Sequence, residues 1–169
     1  KAAFEKKKAA GKDVKVAMTF PGGTHDLWIR YWLAAGGIDP DKDVQTITVP
    51  PPQMVANMKV GTMDVFCVGA PWNAQLINQG VGYTAVTTRE IWSKHPEKSF
   101  ALRASWVDKN PAAANALLMA VMEAQQWCDK PENKDEMCKI LGTRAWFNVP
   151  AADILPRAKG EFDYGVPGK

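Results

Sequence analysis

Residues 20–26, Phe-Pro-Gly-Gly-Thr-His-Asp, combine the residue types and spacing best suited to binding a small anion. They separate an apolar, β-branched run from an amphipathic run, which predicts a strand-to-helix turn. The backbone N–H groups of such a turn and the positive end of the helix dipole attract anions. Gly23 or Thr24 is the predicted N-cap, and His25 in the first helical turn can donate to a ligand. The other interpretation is an ordinary turn with a surface histidine.

Two further candidates follow other predicted strands. Gly69 comes directly after the apolar run 64–68, where it either brings the backbone close to a solute or forms a tight turn. Gln53 follows three prolines at the end of the β-branched run 44–49. Ligands of open parallel sheets bind at the carboxyl ends of the strands, so Gln53 is a weaker candidate for the same site.

The titratable residues do not form a catalytic pattern. Asp26, Asp64 and Glu97 have no spacing that forces two carboxylates together. Cys67 and His25 could be imagined as a thiol–imidazole pair, but a thiol within an apolar strand is expected to be buried and inert. No Walker loop, GxGxxG or HExxH motif is present, and the three cysteines lack CxxC spacing. We therefore predict neither an enzyme nor a metal site, and no cofactor.

The elements that position the candidates alternate between strand and helix. Short β-branched or apolar runs are each followed by an amphipathic segment, and glycines or prolines separate them. Alternation at this spacing predicts an α/β fold with a parallel sheet. The predicted strands are 14–20, 44–49, 64–68 and 83–87, and the predicted helices are 27–35, 53–60 and 72–79.

The sequence changes character after Thr87. A connector over 88–97 leads to a predicted strand at 99–104, and Asn110 with Pro111 forms an N-cap signal for a long helix to Cys128. Further helices are predicted at 133–141 and 151–159. Cys128 and Cys138 fall on neighbouring helices, where they could pair or remain free thiols.

Composition excludes several classes of protein. The chain has 169 residues, of which 46% are hydrophobic and 23% charged, with a net charge of +3. This balance is too mild for a nucleic-acid or anionic-membrane binder, and the basic run 6–8 is predicted to be a solvated helix face. No signal peptide or transmembrane segment is visible, and the start lacks an initiator Met, which indicates a piece of a longer protein.

Several long and unusual strings occur along the chain, namely TFPGGTHDLWIRYWL at 19–33, VPPPQMVANM at 49–58, FCVG at 66–69 with PWN at 71–73, HPEK at 95–98 and FNVP at 147–150. These strings resemble periplasmic-type solute-binding proteins, in particular the nitrate-binding components of cyanobacterial nitrate ABC transporters. The bicarbonate-binding paralogues are the next most similar. The resemblance covers nearly the whole chain.

The resemblance implies one lobe of a two-lobed α/β protein of the periplasmic-binding type II class, with the solute in the cleft. Residues 1–13 would be an N-terminal arm and 14–97 the second lobe. Residues 98–106 would cross the hinge, and 107–169 would supply helices that dock on a first lobe missing from this chain.

The resemblance also implies roles for particular residues. His25 would donate a hydrogen bond to nitrate or nitrite, beside the backbone of residues 22–24, and Lys98 would supply the positive charge. Gly23, Thr24, Gly69 and Gln53 complete the predicted set. The bicarbonate-type relatives have an acidic residue at the position of Lys98, associated with calcium.

The implied function is non-catalytic, high-affinity nitrate and nitrite binding in the periplasm for an ABC permease and its ATPase. A lipid anchor outside this chain would tether the protein to the inner membrane. Three alternatives stay open, namely a bicarbonate or sulfonate receptor, a nitrate-sensing regulatory domain, and, least favoured, an enzyme.

Overall fold

The central feature of the fold is a short parallel sheet at the start of the chain. The computed structural model describes residues 1–168, and within them β1 (Lys15–Met18) lies between β2 (Gln45–Thr48) and β3 (Val65–Phe66). Both pairings are parallel, with Ala17 opposite Ile47 on one side and Phe66 on the other. All strand carboxyl ends therefore lie at one edge of the sheet.

Helices cover both faces of this sheet. Successive side chains of a strand point to opposite faces. Val16 accordingly packs with Ile29 and Leu33 of α2 (Thr24–Ala35), whereas Ala17 packs with Met54 of α3 (Met54–Lys59). Both strand residues are 0% exposed. The predicted α/β fold with a parallel sheet is confirmed, although each strand is shorter than predicted.

The predicted fourth strand at 83–87 is wrong. These residues form no ladder, and Thr84 N–H donates instead to the carbonyl of Tyr164 at 2.8 Å. Threonine and valine gave the segment its β-branched character, but no neighbouring strand accepts it. Within the predicted connector, α5 (Thr88–Ile91) begins with a capping box between Thr87 and Glu90. Before it, α4 (Trp72–Asn78) follows β3 closely as predicted.

The chain divides into two compact units. The first contains residues 1–95 and the segment that begins at Phe162, and the second contains Pro96–Glu161. The second unit is helical, and its helices are α6 (Ala104–Lys109), α7 (Pro111–Asp129), α8 (Lys134–Gly142) and α9 (Ala151–Ala158).

The predicted strand at 99–104 is also wrong. Residues 99–103 are exposed and without regular structure, and Ala104 already belongs to α6. Phe100 and Leu102 alternate with small residues, but no strand of the described part of the chain pairs with them. Asn110 precedes α7 as predicted, yet its side chain donates to the carbonyl of Trp106 at 2.9 Å and does not cap the helix.

Packing in the second unit is concentrated at α8 and α9. Cys138, Val149 and Ile154 are buried there, and Gly142 leaves no room for a side chain because a Cβ would lie 2.7 Å from the carbonyl oxygen of Val149. Helix α7 buries only Ala114. Four of its large apolar side chains are exposed, namely Leu117, Leu118, Met119 and Met122.

The basic run at residues 6–8 is not simply a solvated face, which corrects the prediction. It lies on α1 (Ala2–Ala9), where Lys7 contacts both carboxylate oxygens of Asp64 and Lys8 lies 2.9 Å from Asp43. The hydrogen bond from Lys8 lowers the pKa of Asp43. Because Asp64 directly precedes β3 and Asp43 lies two residues before β2, these ion pairs hold α1 at the amino ends of the two strands.

No disulfide joins any of the three cysteines, so the open question of a bond between Cys128 and Cys138 is answered in favour of no bond. Cys138 is buried, and this burial raises the pKa of its thiol. Cys128 is half-buried. Cys67, predicted to be buried, is also half-buried, because β3 ends one residue before it.

We expect Cys128 to react with a maleimide at least about tenfold faster than Cys138, since the thiolate is the reactive form and requires access. Mass spectrometry of peptides from the native protein, sampled over time, measures both rates. Labelling in urea provides the control, because unfolding should make the two rates similar. Faster native labelling of Cys138 would contradict the prediction.

Within residues 1–168, none of the helices combines the length and the hydrophobicity that a membrane span requires. No group of three or more His, Cys, Asp or Glu side chains among the same residues could hold a metal ion.

Candidate functional site

Three loops meet at the carboxyl edge of the sheet. They connect β1 to α2, β2 to α3 and β3 to α4. Because the strands are parallel and adjacent, the structure brings together at this edge three predicted residues, with Gln53 and Gly69 in the connections and His25 in the first turn of α2. Open α/β sheets bind their ligands here, and we take this edge as the candidate site.

The loop after β1 is shaped by its two glycines. Gly22 has φ of +75°, a conformation that L side chains rarely adopt. A Cβ on Gly23 would lie 2.7 Å from the ring of Phe20. Gly23 is the N-cap and α2 begins at Thr24, three residues earlier than predicted. His25 is therefore in the first turn of the helix, as the sequence indicated.

The amides of this turn are not all available to a solute. Gly22 N–H donates to Asp26 Oδ2 at 2.8 Å, and Gly23 N–H donates to the Phe20 carbonyl at 3.3 Å. The chain's own acceptors thus occupy both amides, and the predicted contact of this backbone with an anion stays a prediction. For the amide of Thr24, by contrast, no acceptor is found within residues 1–168.

The Asp26 carboxylate belongs to a charged network that the sequence reasoning missed. Asp26 is 5% exposed, and Arg30 Nε donates to its Oδ1 at 2.7 Å. Arg30 also donates to Asp41 at 2.6 Å. The bonds to Asp41 and Asp26 raise the pKa of Arg30 above its ordinary value. Aspartate and arginine four residues apart on a helix were the signal available in the sequence.

This network sets the net charge of the turn. Two aspartates and one arginine sum to a charge of −1, and Asp26 lies where the helix dipole would otherwise attract an external anion. The turn therefore provides hydrogen-bond donors without net positive charge.

The ring of His25 connects the loops after β1 and β3. Its Nδ1 lies 3.2 Å from Thr19 Oγ1, and its Nε2 lies 3.9 Å from the point where a Cβ on Gly69 would stand. Gly69 leaves the space in front of Nε2 without a side chain. Of the predicted residues, His25 and Gly69 are thus in close proximity.

The other two predicted side chains are more exposed. Gln53 ends a short 3₁₀ turn (Pro51–Gln53), and its carbonyl accepts a bond from Asn57 at 2.9 Å. Lys98 belongs to the second unit, where its side chain is 79% exposed and its Nζ lies 3.1 Å from Glu97. An ion pair this exposed contributes little, so Glu97 does not neutralise Lys98 strongly. The partnership of Lys98 with His25 stays a prediction.

A second histidine is attached to the same helix. His95 Nε2 lies 2.7 Å from Thr88 Oγ1, and its ring is 4.7 Å from that of Trp28. Trp28 also contacts Trp92 at 6.0 Å between ring centroids. Trp28 is one helical turn after His25, so the end of the connector is held next to the candidate site. No local signal predicts a contact between residues so distant in sequence.

A parallel sheet covered by helices, with donor groups at its carboxyl edge, defines a lobe of the α/β solute-binding class. The chain belongs to the NMT1-like family, which matches residues 1–142. The crystal structure of the periplasmic nitrate-binding protein NrtA from Synechocystis matches this chain with a TM-score of 0.91 and 62% sequence identity. The match covers 99% of this chain and 44% of that one. The resemblance predicted from the sequence is confirmed.

Nitrate-binding, bicarbonate-binding and ATP-binding proteins each match most of this chain. A nitrate/nitrite binding protein NrtA from Nostoc is 66% identical over 160 residues, covering 95% of this chain and 36% of the relative. A bicarbonate-binding protein CmpA from Synechococcus is 50% identical over the same shares. A nitrate import ATP-binding protein NrtC from Synechocystis is 40% identical, covering 89% and 22%. The chain thus spans about a third of the binding proteins' length.

Proposed function

We propose that this chain supplies one wall of a cleft that binds nitrate and nitrite without catalysis. The single observation that supports this most strongly is the position of His25, whose Nε2 faces Gly69 at the carboxyl edge of the sheet. His25 donates a hydrogen bond to the anion, and the amide of Thr24 is a second donor. Gln53 lies farther out on the same edge.

Lys98 is the cation that this wall requires. The Asp26–Arg30–Asp41 network gives the turn a charge of −1, so hydrogen bonds alone would not compensate nitrate. A lysine ammonium is a compact monovalent charge that matches a monovalent anion. An acidic residue in its place would repel an anion unless a bound cation offset it. Bicarbonate is also monovalent, so the preference for nitrate rests on the acidic residue that the resemblance places at this position in the bicarbonate-type relatives.

The second wall would come from a lobe outside this chain. We propose that residues 14–97 form one lobe, that residues 98–106 cross the hinge, and that the helices after residue 107 dock on the other lobe. The exposed Leu117, Leu118 and Met122 of α7 support docking, because soluble proteins rarely leave such a row uncovered. Closure of the lobes would enclose the anion.

The biological setting follows from the relatives. We propose that the full protein acts in the periplasm, tethered by a lipid anchor outside this chain, and delivers its anion to an ABC permease with ATPase subunits. The periplasmic nitrate-binding protein of known structure supports the location, and the ATP-binding relative supports the transporter partners. The lipid anchor stays a prediction.

Isothermal titration of a hybrid protein tests the proposal. In this hybrid, residues 1–169 replace the matching segment of the Synechocystis nitrate-binding relative, which supplies the other lobe. We expect tight nitrate binding, and a loss of about tenfold or more in His25→Ala, because one hydrogen bond to a charged partner contributes about 1.5–3 kcal/mol. His95→Gln is the matched control, since that ring contacts Thr88 and Trp28, and it should bind as the parent does.

Two results would overturn the proposal. The first is a hybrid that folds, as shown by circular dichroism, but does not bind nitrate. The second is binding of bicarbonate in preference to nitrate and only with calcium, which would assign the chain to the second type of relative.

A further inference from the structure

The linking segment, residues 92–103, is held by side-chain contacts and not by regular structure. It follows α5 and contains neither helix nor strand before α6 begins at Ala104. Every residue of the linking segment is exposed except His95, which is half-buried. A segment with so few buried groups is mobile unless specific contacts hold it. The contacts of His95 and its neighbours therefore determine where the linking segment begins its path.

Trp28 of α2 provides these contacts. Its indole meets the imidazole of His95 edge-on, with 4.7 Å between the ring centroids and 61° between the ring planes. It meets the indole of Trp92 in the same way, at 6.0 Å and 62°. Edge-to-face contacts are a favoured arrangement of aromatic rings. One half-buried side chain thus holds the linking segment at two positions, and Thr88 Oγ1 lies 2.7 Å from Nε2 of the same histidine.

Trp28 also connects the linking segment to the proposed anion donor. Residues three apart on a helix are surface neighbours, with about 5–6 Å between their Cβ atoms, so Trp28 is adjacent to His25. Lys98 follows His95 by only three residues, which limits the distance between their Cα atoms to about 11 Å. Trp28 is therefore the link, first along the helix and then along the chain, between His25 and Lys98.

We propose that Trp28 is a positioning residue for nitrate binding, because its indole holds Trp92 and His95 and so keeps Lys98 within reach of an anion at His25. This inference rests on the proposed function. A charged side chain on a free segment must lose conformational freedom before it pairs with a ligand, and that loss weakens binding. An anchor three residues before Lys98 removes part of this loss in advance. Trp28 needs no contact with the anion for this role.

Limited proteolysis of the hybrid tests the anchor without any ligand. Trypsin cleaves after lysine, and Lys94 and Lys98 lie on either side of His95. We expect Trp28→Leu to speed cleavage after these two lysines about fivefold under conditions in which the protein stays folded, because leucine offers no aromatic ring to either partner. Mass spectrometry of the products over time gives the two rates.

Nitrate titration of the same variants measures the consequence for binding. Trp28→Leu should lower affinity about fivefold, and Trp28→Phe should stay within about twofold of the parent because it keeps an aromatic ring. His95→Gln should do the same, since its planar amide can still pack on Trp28 and bond to Thr88. Trp32→Leu is the matched control. Trp32 lies one turn later on α2 but packs against the core cluster that contains Val16, so its loss should lower stability without changing the affinity of the folded protein.

A double-mutant cycle shows whether Trp28 acts through Lys98. Lys98→Gln removes the charge that Trp28 is proposed to position. On this background we expect Trp28→Leu to change nitrate affinity by less than about 1.5-fold, because the two side chains contribute through one interaction. A loss that persists in full on this background would show that Trp28 acts on another group, and would overturn the inference.

The remaining outcomes separate this inference from the function on which it rests. An unchanged rate of cleavage, or an unchanged nitrate affinity, in Trp28→Leu overturns the role of Trp28 while nitrate binding by the parent stands. Absence of nitrate binding in the parent overturns the proposed function, and with it the role of Trp28 in binding, whatever the rate of cleavage is.

Discussion

Replacing Lys98 with glutamate in the hybrid should lower nitrate affinity by about 100-fold or more. In the proposed site, the change would remove a charge-assisted hydrogen bond, worth up to about 3 kcal/mol, and would add a negative charge near the anion. The turn after β1 cannot compensate, because Asp26, Arg30 and Asp41 already sum to −1. Titration calorimetry at constant ionic strength measures the effect.

Lys94→Glu is the matched control for Lys98. Lys94 has the same side chain and charge and lies four residues earlier, and a general electrostatic effect on the anion would be similar for both. We expect Lys94→Glu to change affinity by less than about threefold, since exposed charges are screened over about 8–10 Å. Lys98→Arg should retain part of the affinity. Equal losses at the two lysines would contradict a specific role for Lys98.

Replacing Asp26 with alanine should destabilise the protein by about 2 kcal/mol, because the change removes three favourable interactions at once. Arg30 loses its less exposed partner, Gly22 N–H loses its acceptor, and the N-terminus of α2 loses an acidic residue. The estimate is below the range for fully buried pairs because Arg30 is 29% exposed and keeps Asp41. Urea unfolding followed by circular dichroism gives the change.

Asp41→Ala is the control that separates the contribution of the ion pair with Arg30 from the contribution of Asp26 to the turn. Asp41 contacts the same guanidinium, but its side chain is 73% exposed, so its loss should cost less than about 1 kcal/mol. Asp26→Asn keeps an acceptor for Gly22 N–H and should be intermediate. If Asp41→Ala lowers the free energy of unfolding as much as Asp26→Ala does, the proposed stabilising role of Asp26 at the helix terminus is contradicted.

The features that sequence predicted correctly are those encoded locally. The apolar run around Val16 and Ala17 and the amphipathic run from Leu27 identified β1 and α2, because their periodicities differ. Gly22 and Gly23 marked the turn between them. Parallel strands then brought His25 and Gly69 to one edge without any knowledge of side-chain contacts.

The features that sequence did not predict depend on partners distant in the chain. Residues 83–87 and 99–104 have strand-like composition, but a strand forms only where another strand accepts its hydrogen bonds. The pairing of Lys7 with Asp64 spans 57 residues, so nothing near either residue indicates it. The Gly22 amide was assigned to a solute because composition does not reveal that Asp26 competes for it.

The chain order of the first unit has a consequence for synthesis. Tyr164 accepts a hydrogen bond from Thr84 N–H and donates through its hydroxyl to Glu90 at 3.0 Å, so the last segment completes a unit begun at the first residue. Residues 96–161 must leave the ribosome before these bonds form, a delay on the order of seconds. The sheet and the turn after β1 can fold during translation, whereas the segment around Thr84 must wait until Tyr164 has been synthesised.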